Sequence, residues 1–288
     1  MNGAIARSTI LGAAALLLAG PALADGMPGK VKAGTSDLVV DGRACALSAN
    51  LGYATEYVYR GFSYSAEDGA VQGGFDATCG RFYAGVWASS INFGGGASSE
   101  FDISAGFKHI TTPIAWDVGL VYHAYPNARE DFFEGRNPDY AEIKVGASGE
   151  VWRGGTMGAT VFYSPDYQFN TGSTWTVEGT FSQTLPKFGI FSPTFSALIG
   201  YQTNQASGDD GFIYSRVFGN GFNADHYTYW NAGVTLAFLE KWSLDLRYWD
   251  SDHPGPGGGV VVTEDNDFCR GAFFQCDSRF VATLKYSF

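Results

Sequence analysis

From Leu47 to Tyr59 apolar and polar residues alternate. One parity reads Leu47, Ala49, Leu51, Tyr53, Thr55, Tyr57 and Tyr59; the other reads Ser48, Asn50, Gly52, Ala54, Glu56, Val58 and Arg60. Side chains of a strand point to opposite faces in turn, so the pattern predicts a strand with one apolar face and one polar or small face. The period recurs at 71–79, 82–89, 101–108 and 114–122. It continues at roughly 139–148, 156–164, 174–183, 194–203, 227–238, 242–250 and 279–288. That makes twelve strands.

The connections alternate too. Links near 61–69, 90–99, 126–138, 165–173, 204–226 and 251–278 are mostly long and polar. Those near 80, 110–113, 149–155, 184–193 and 239–241 are shorter. Outer-membrane barrels have short periplasmic turns, longer outer loops and an even strand number. The expected fold is therefore all-β, a transmembrane up-and-down antiparallel β-barrel of 12 strands spanning 45–288.

The two ends of the chain add to this. Residues 1–24 carry Arg7, a short apolar stretch from Ile10 to Ala19 and an Ala22-Leu23-Ala24 cleavage pattern, which reads as a secretory signal peptide. Residues 25–44 show little periodicity and are expected to form a periplasmic arm. At the other end Phe280, Ala282, Leu284, Tyr286 and Phe288 alternate with polar or small residues up to the last position. Tyr286 and Phe288 have the form of an assembly signal for the barrel assembly machinery. The expected location is the bacterial outer membrane, with lipid and lipopolysaccharide as surroundings.

Composition narrows the class further. Aromatic residues make up 16%, charged residues only 16%, and glycine supplies 39 of 288, which suits lipid-facing strands with aromatic girdles. Cleavage after Ala24 leaves 288 less 24, or 264 residues, and removes Arg7, so the net charge moves from −11 to −12. That acidity argues against nucleic acid as a partner. A soluble β-sandwich or lipocalin-like barrel also alternates. The terminal Phe288, the loop asymmetry and the aromatic bands favour the membrane form.

Four cysteines in an exported chain are expected to pair. Three connectivities can be drawn, and spacing favours Cys45 with Cys79 and Cys269 with Cys276. The midpoint of 45 and 79 falls in the first hairpin's loop, so these two should face one another at the periplasmic end. Neither pair has the C-x-x-C spacing or the nearby His cluster of a metal site, and no metal or cofactor is expected.

From Leu47 onward the chain resembles the TorF-type porin family, which carries the domain label Gcw_chp. The stretches that carry the resemblance are SANLGYATEYVYRG (48–61), AVQGGF (70–75), FYAGVWASS (82–90) and EFDISAG (100–106). YWNAG (229–233), LDLRYWD (244–250) and the last strand extend it to the C-terminus. The resemblance implies an outer-membrane barrel of porin type and supplies no substrate.

If the apolar parity faces lipid, the other lines the lumen. Its acids are Glu56, Asp76, Asp102, Asp117, Glu142, Glu178 and Asp245; its bases are Arg60, Lys108, Lys144, Arg247, Arg279 and Lys285. So near a balance suggests a lumen crossed by ion pairs, with a narrow passage for small hydrophilic solutes. Arg60 and Arg247 are expected at the outer strand ends, beside Glu56 and Asp245. They read either as a charge-selective constriction or as part of a stiffening salt-bridge network. A lipid hydrolase is a second class of function, but His109, His123, His226 and His253 are the only histidines and no G-x-S-x-G elbow is present. An adhesive or structural role through the outer loops is the third. The chain is not expected to be an enzyme.

Overall fold

The computed structural model describes residues 38–40, 43–92, 96–129, 135–204, 226–252 and 275–288. The signal peptide, most of the N-terminal arm, Cys269 and His253 lie outside them.

Twelve strands form the wall: β2 (Arg43–Ala54), β5 (Ala70–Cys79), β6 (Phe82–Ser90), β7 (Ser99–Thr111), β8 (Ile114–Ala124) and β9 (Tyr140–Trp152), then β10 (Gly155–Ser164), β11 (Thr174–Thr184), β12 (Ser192–Asn204), β13 (His226–Phe238), β14 (Trp242–Ser251) and β15 (Arg279–Ser287). Each pairs antiparallel with its neighbour in sequence. β15 closes the ring on β2, from Thr283 opposite Ala54 to Ser287 opposite Asn50. The ring is closed, so the wall has no free edge strand.

The outer face is apolar over the height of the wall. Leu51, Val71, Phe75, Ile103, Val118, Leu120, Ile143, Val145, Ile199 and Leu246 are all exposed. An apolar band of this extent matches a hydrocarbon environment rather than water. Aromatic pairs border it at both rims. Phe82–Phe107, Trp152–Phe181 and Trp242–Tyr286 lie toward the short turns; Tyr163–Trp175, Trp230–Tyr248 and Tyr248–Phe280 lie toward the long loops.

Cys45 and Cys79 are register partners on β2 and β5 and form a disulfide at the short-turn end. Cys276 is disulfide-bonded and fully buried. Two boundaries differ from expectation at the N-terminal side. β2 starts at Arg43, ahead of Cys45, because β1 (Leu38–Val40), within the expected arm, pairs with it from Leu38 opposite Cys45 to Val40 opposite Arg43.

The larger difference is where the first strand ends. Alternation ran to Tyr59, yet the wall strand stops at Ala54, and burial then becomes continuous from Glu56 to Arg60. Here the chain leaves the wall and folds into the barrel as a small hairpin, β3 (Val58–Tyr59) and β4 (Phe62–Ser63). Its turn residues Arg60 and Gly61 both have positive φ, 48° and 87°, the backbone of a tight two-residue hairpin that follows the natural strand twist. Tyr57 and Tyr59, expected on the lipid parity, are instead buried at 2% exposure each. The physical reason is that a hairpin arm is as extended as a wall strand, so the two-residue period does not mark the point where the chain turns inward.

Candidate functional site

The inward hairpin packs its aromatic residues into the long-loop half of the barrel. Tyr57, Tyr59 and Tyr64 cluster with Tyr125, Tyr140, Tyr167 and Phe169, which come from the wall and neighbouring loops. Backbone bonds hold its stem: Tyr64 N–H donates to Tyr57 O at 2.7 Å and Asn92 N–H to Tyr64 O at 2.7 Å. Ser63 N–H donates to Gln275 O, which ties the hairpin to the segment before β15.

Arg60, at the tip, reaches the far wall. Its Nη1 and Nη2 donate to the two oxygens of Glu142 on β9 at 2.9 Å each, a bidentate pair. Nη1 also approaches Tyr167 Oη at 3.5 Å and Gln202 Oε1 at 3.4 Å, and Nε lies 4.0 Å from Glu178 on β11. The guanidinium also stacks over the rings of Tyr59 and Phe162, each centroid 5.0 Å away. Burial favours the uncharged arginine, but Glu142 together with the facing tyrosines offsets it and keeps the guanidinium charged. One side chain thus joins the first loop to strands β9, β11 and β12.

The pairing of Arg60 departs from expectation. It sits at the hairpin tip and not at the end of a wall strand, and its partner is Glu142. Glu56 pairs instead with Arg279 on β15. Arg60 stands in the turn at positive φ and no longer follows the parity it shares with Glu56 in the sequence, so the two serve different walls. Arg247 does lie with Asp245, through Nε and Nη2 at 3.0 Å each. It is further fixed by Asn231 at 2.6 Å and Ser196 at 2.8 Å, while Thr235 donates to Asp245.

A third group lies nearer the short turns. Tyr83 donates to Asp117 at 2.8 Å, and Lys144 Nζ donates to the other Asp117 oxygen at 3.1 Å. The Tyr83 ring lies between the ammonium groups of Lys108 and Lys144. Asp76 and Lys285 are half-buried on the same inward face. A small cavity beside the hairpin is lined by Glu56, Gln72, Asp245, Arg247 and Thr283.

A fourth group had no sequence signal strong enough to single it out. His123 on β8 is register partner of Asp102 on β7, and Glu100 lies two residues back on the same face. His123 Nδ1 is 2.7 Å from Asp102 Oδ1 and 3.7 Å from Glu100 Oε1; its Nε2 is 3.4 Å from Glu142 Oε2. Tyr140 stacks on the His123 ring at 4.2 Å, and Tyr125 donates to Glu100 at 2.8 Å. Burial first, and the Glu100 charge second, push the Tyr57 and Tyr125 hydroxyls up, so both remain neutral. Glu100, Asp102 and His123 are the described residues whose chemistry suits a metal ion. The i, i+2 spacing of Glu100 and Asp102 was visible, whereas His123 joins them only through strand register.

Two solved structures share the architecture. A NanC porin matches with a TM-score of 0.50 and 12% identity over 84% of this chain and 99% of its own. A KdgM porin matches with a TM-score of 0.50 and 9% identity over the same shares. At such identities the likeness is one of fold. No curated relative is found by sequence comparison. The sequence model of a bacterial family described as of unknown function, Gcw_chp, matches residues 42–288, from the start of the barrel wall to the last residue, and the chain belongs to that family.

Proposed function

We propose that this protein is an outer-membrane, porin-like channel for small hydrophilic solutes, with a lumen narrowed by its first outer loop. The observation that carries the reading is the Arg60 bridge: a charged hairpin tip folded into the barrel and anchored across it on Glu142, Gln202 and Glu178. Loops folded inward onto charged walls make a constriction whose charge selects what passes. The apolar outer belt, the aromatic rims and the fold held in common with two proteins named as porins support the same reading. In this proposal residues 1–24 direct export, Tyr286 and Phe288 are read by the barrel assembly machinery, and the long loops face lipopolysaccharide. No catalytic role is proposed.

The packed tyrosines around the hairpin favour one rival, a closed barrel that acts through its outer loops. Single-channel recording in planar bilayers under a salt gradient separates the two. The channel reading expects discrete openings whose size and reversal potential shift in Arg60→Gln and Arg247→Gln. A folded, heat-modifiable barrel that never conducts, in wild type and in Arg60→Gln alike, would reject the channel and leave the structural or adhesive role.

A further inference from the structure

We propose that Glu100, Asp102 and His123 form a binding site for one divalent first-row transition-metal ion, set in the barrel wall beneath the inward hairpin.

The first ground is charge. Glu100, Asp102, Glu142 and Glu178 are each at most 3% exposed and are linked to one another through Arg60 and His123. The cationic groups that contact them are Arg60 and, when protonated, His123. Among the described residues, four carboxylates face two such cations, so the surplus carboxylates of this buried site must either hold protons or meet a further cation. Uncompensated buried charge is strongly unfavourable, and a divalent cation removes this imbalance.

The second ground is unused donor capacity. Tyr125 occupies one oxygen of Glu100; Glu100 Oε2 has no hydrogen-bond partner. Asp102 Oδ2 has none either, and Asp102 Oδ1 meets His123 Nδ1 as an ion pair at 2.7 Å, although all three residues are fully buried. Buried polar atoms are almost always satisfied, so a group of them converging on one point asks for a ligand. Their donor atoms lie within 4.8 Å of one another, a span that slight side-chain movement closes around a single ion.

The chemistry selects the ion. One imidazole with two carboxylates and no thiolate suits Zn²⁺, Mn²⁺ or Fe²⁺ better than Cu⁺, and the nitrogen donor disfavours Ca²⁺ and Mg²⁺. His123 is oriented for this use. With Nδ1 toward Asp102 and Glu100, its Nε2 faces Glu142 at 3.4 Å, and Glu142 is itself fixed by Arg60. A carboxylate behind the far ring nitrogen is the usual support of a metal-bound histidine. Tyr59 packs 5.9 Å from the His123 ring, so an ion here would also stiffen the seat of the hairpin.

The proposal does not depend on whether the barrel conducts, because its test reads metal and not current. Untagged full-length mature protein, refolded in detergent and freed of metal by chelator and dialysis, is titrated with ZnCl₂ by calorimetry and with MnCl₂ by electron paramagnetic resonance. One equivalent should bind, and Zn²⁺ should raise the unfolding temperature. Asp102→Asn and His123→Gln should each weaken binding by at least about 100-fold and abolish the thermal shift. His226→Gln, an exposed histidine at the rim, should bind as wild type does. Where a ligand variant fails to fold, the wild-type titration decides alone. A wild-type barrel that takes up neither ion at millimolar concentration, or folded ligand variants that bind as tightly as wild type, would overturn the site.

Discussion

Arg60 and Glu142 are 82 residues apart in sequence and meet through two parallel 2.9 Å hydrogen bonds in the barrel interior. Arg60 is carried there by a hairpin that has left the wall, and Glu142 stands on a wall strand. The pair therefore couples the tip of the loop to the barrel, and a cycle of substitutions can isolate it.

Removing one partner of a buried ion pair leaves the other charge uncompensated and costs about 3–5 kcal/mol. Arg60→Gln and Glu142→Gln should each lower the unfolding midpoint by amounts in that range. The double variant should recover part of the loss, because no charge is then stranded. Heat-modifiability in detergent gives all four midpoints. Additive losses would show that the two side chains are not coupled in the folded barrel.

The Cys45–Cys79 bond joins two strands that already pair in register, so its effect falls mainly on the unfolded chain. A closure over a sequence separation of 34 is worth about 3–4 kcal/mol by loop entropy. A Cys45→Ser, Cys79→Ser double variant should unfold at lower denaturant with the same folded spectrum. Adding reductant to wild type should reproduce at least that shift, since Cys276 is also disulfide-bonded.

Much of this architecture was legible in the residues. The wall strands announce themselves because lipid on one side and a polar lumen on the other impose a strict two-residue period, as at Phe101 to Lys108. The Cys45–Cys79 pairing followed from symmetry about the first loop. What the period did not reveal is the departure of the chain at Ala54, since Tyr57 and Tyr59 keep alternating in the hairpin arm. Arg60 was picked out, but its partner was not, because Glu142 is brought to it by the tertiary fold. For the same reason the contacts of His123 with Asp102 and Glu100 stayed out of view. The cross-strand neighbours of a barrel depend on register, and register is written in the loops and shear rather than in any one strand.

Tyr83 shows how bare glycine positions shape the lumen. Its ring lies against Gly106 on β7 and Gly119 on β8, where an added Cβ would collide with the phenol. An aromatic ring laid over strand glycines covers their exposed backbone. Here it also aims the hydroxyl at Asp117, beside Lys144. Gly106→Ala should push the ring away and destabilise the barrel by about 1–3 kcal/mol, as overpacking does. Tyr83→Phe keeps the ring in place and loses only the bond to Asp117, about 1.5 kcal/mol. Unfolding midpoints that rank Tyr83→Phe well below Gly106→Ala would contradict this account.

The tyrosines of the hairpin and its surroundings make the fold sensitive to alkali. Burial is the largest cause that raises Tyr57, Tyr59 and Tyr125 well above the ordinary value of 10.0. In the unfolded chain they release protons near that ordinary value; in the fold they hold them. Above it the folded state binds more protons than the unfolded one, so stability falls as pH rises. The contribution is fully present below pH 10.0 and is lost progressively as pH climbs toward the raised values of the fold. Unfolding midpoints should be level between pH 7 and 9 in this respect and drop steeply beyond 10. Tyr57→Phe should flatten the drop, since its hydroxyl has no hydrogen-bond partner to lose. A profile above pH 10 identical in wild type and Tyr57→Phe would mean that this phenol does not sit in the buried environment that the fold assigns to it.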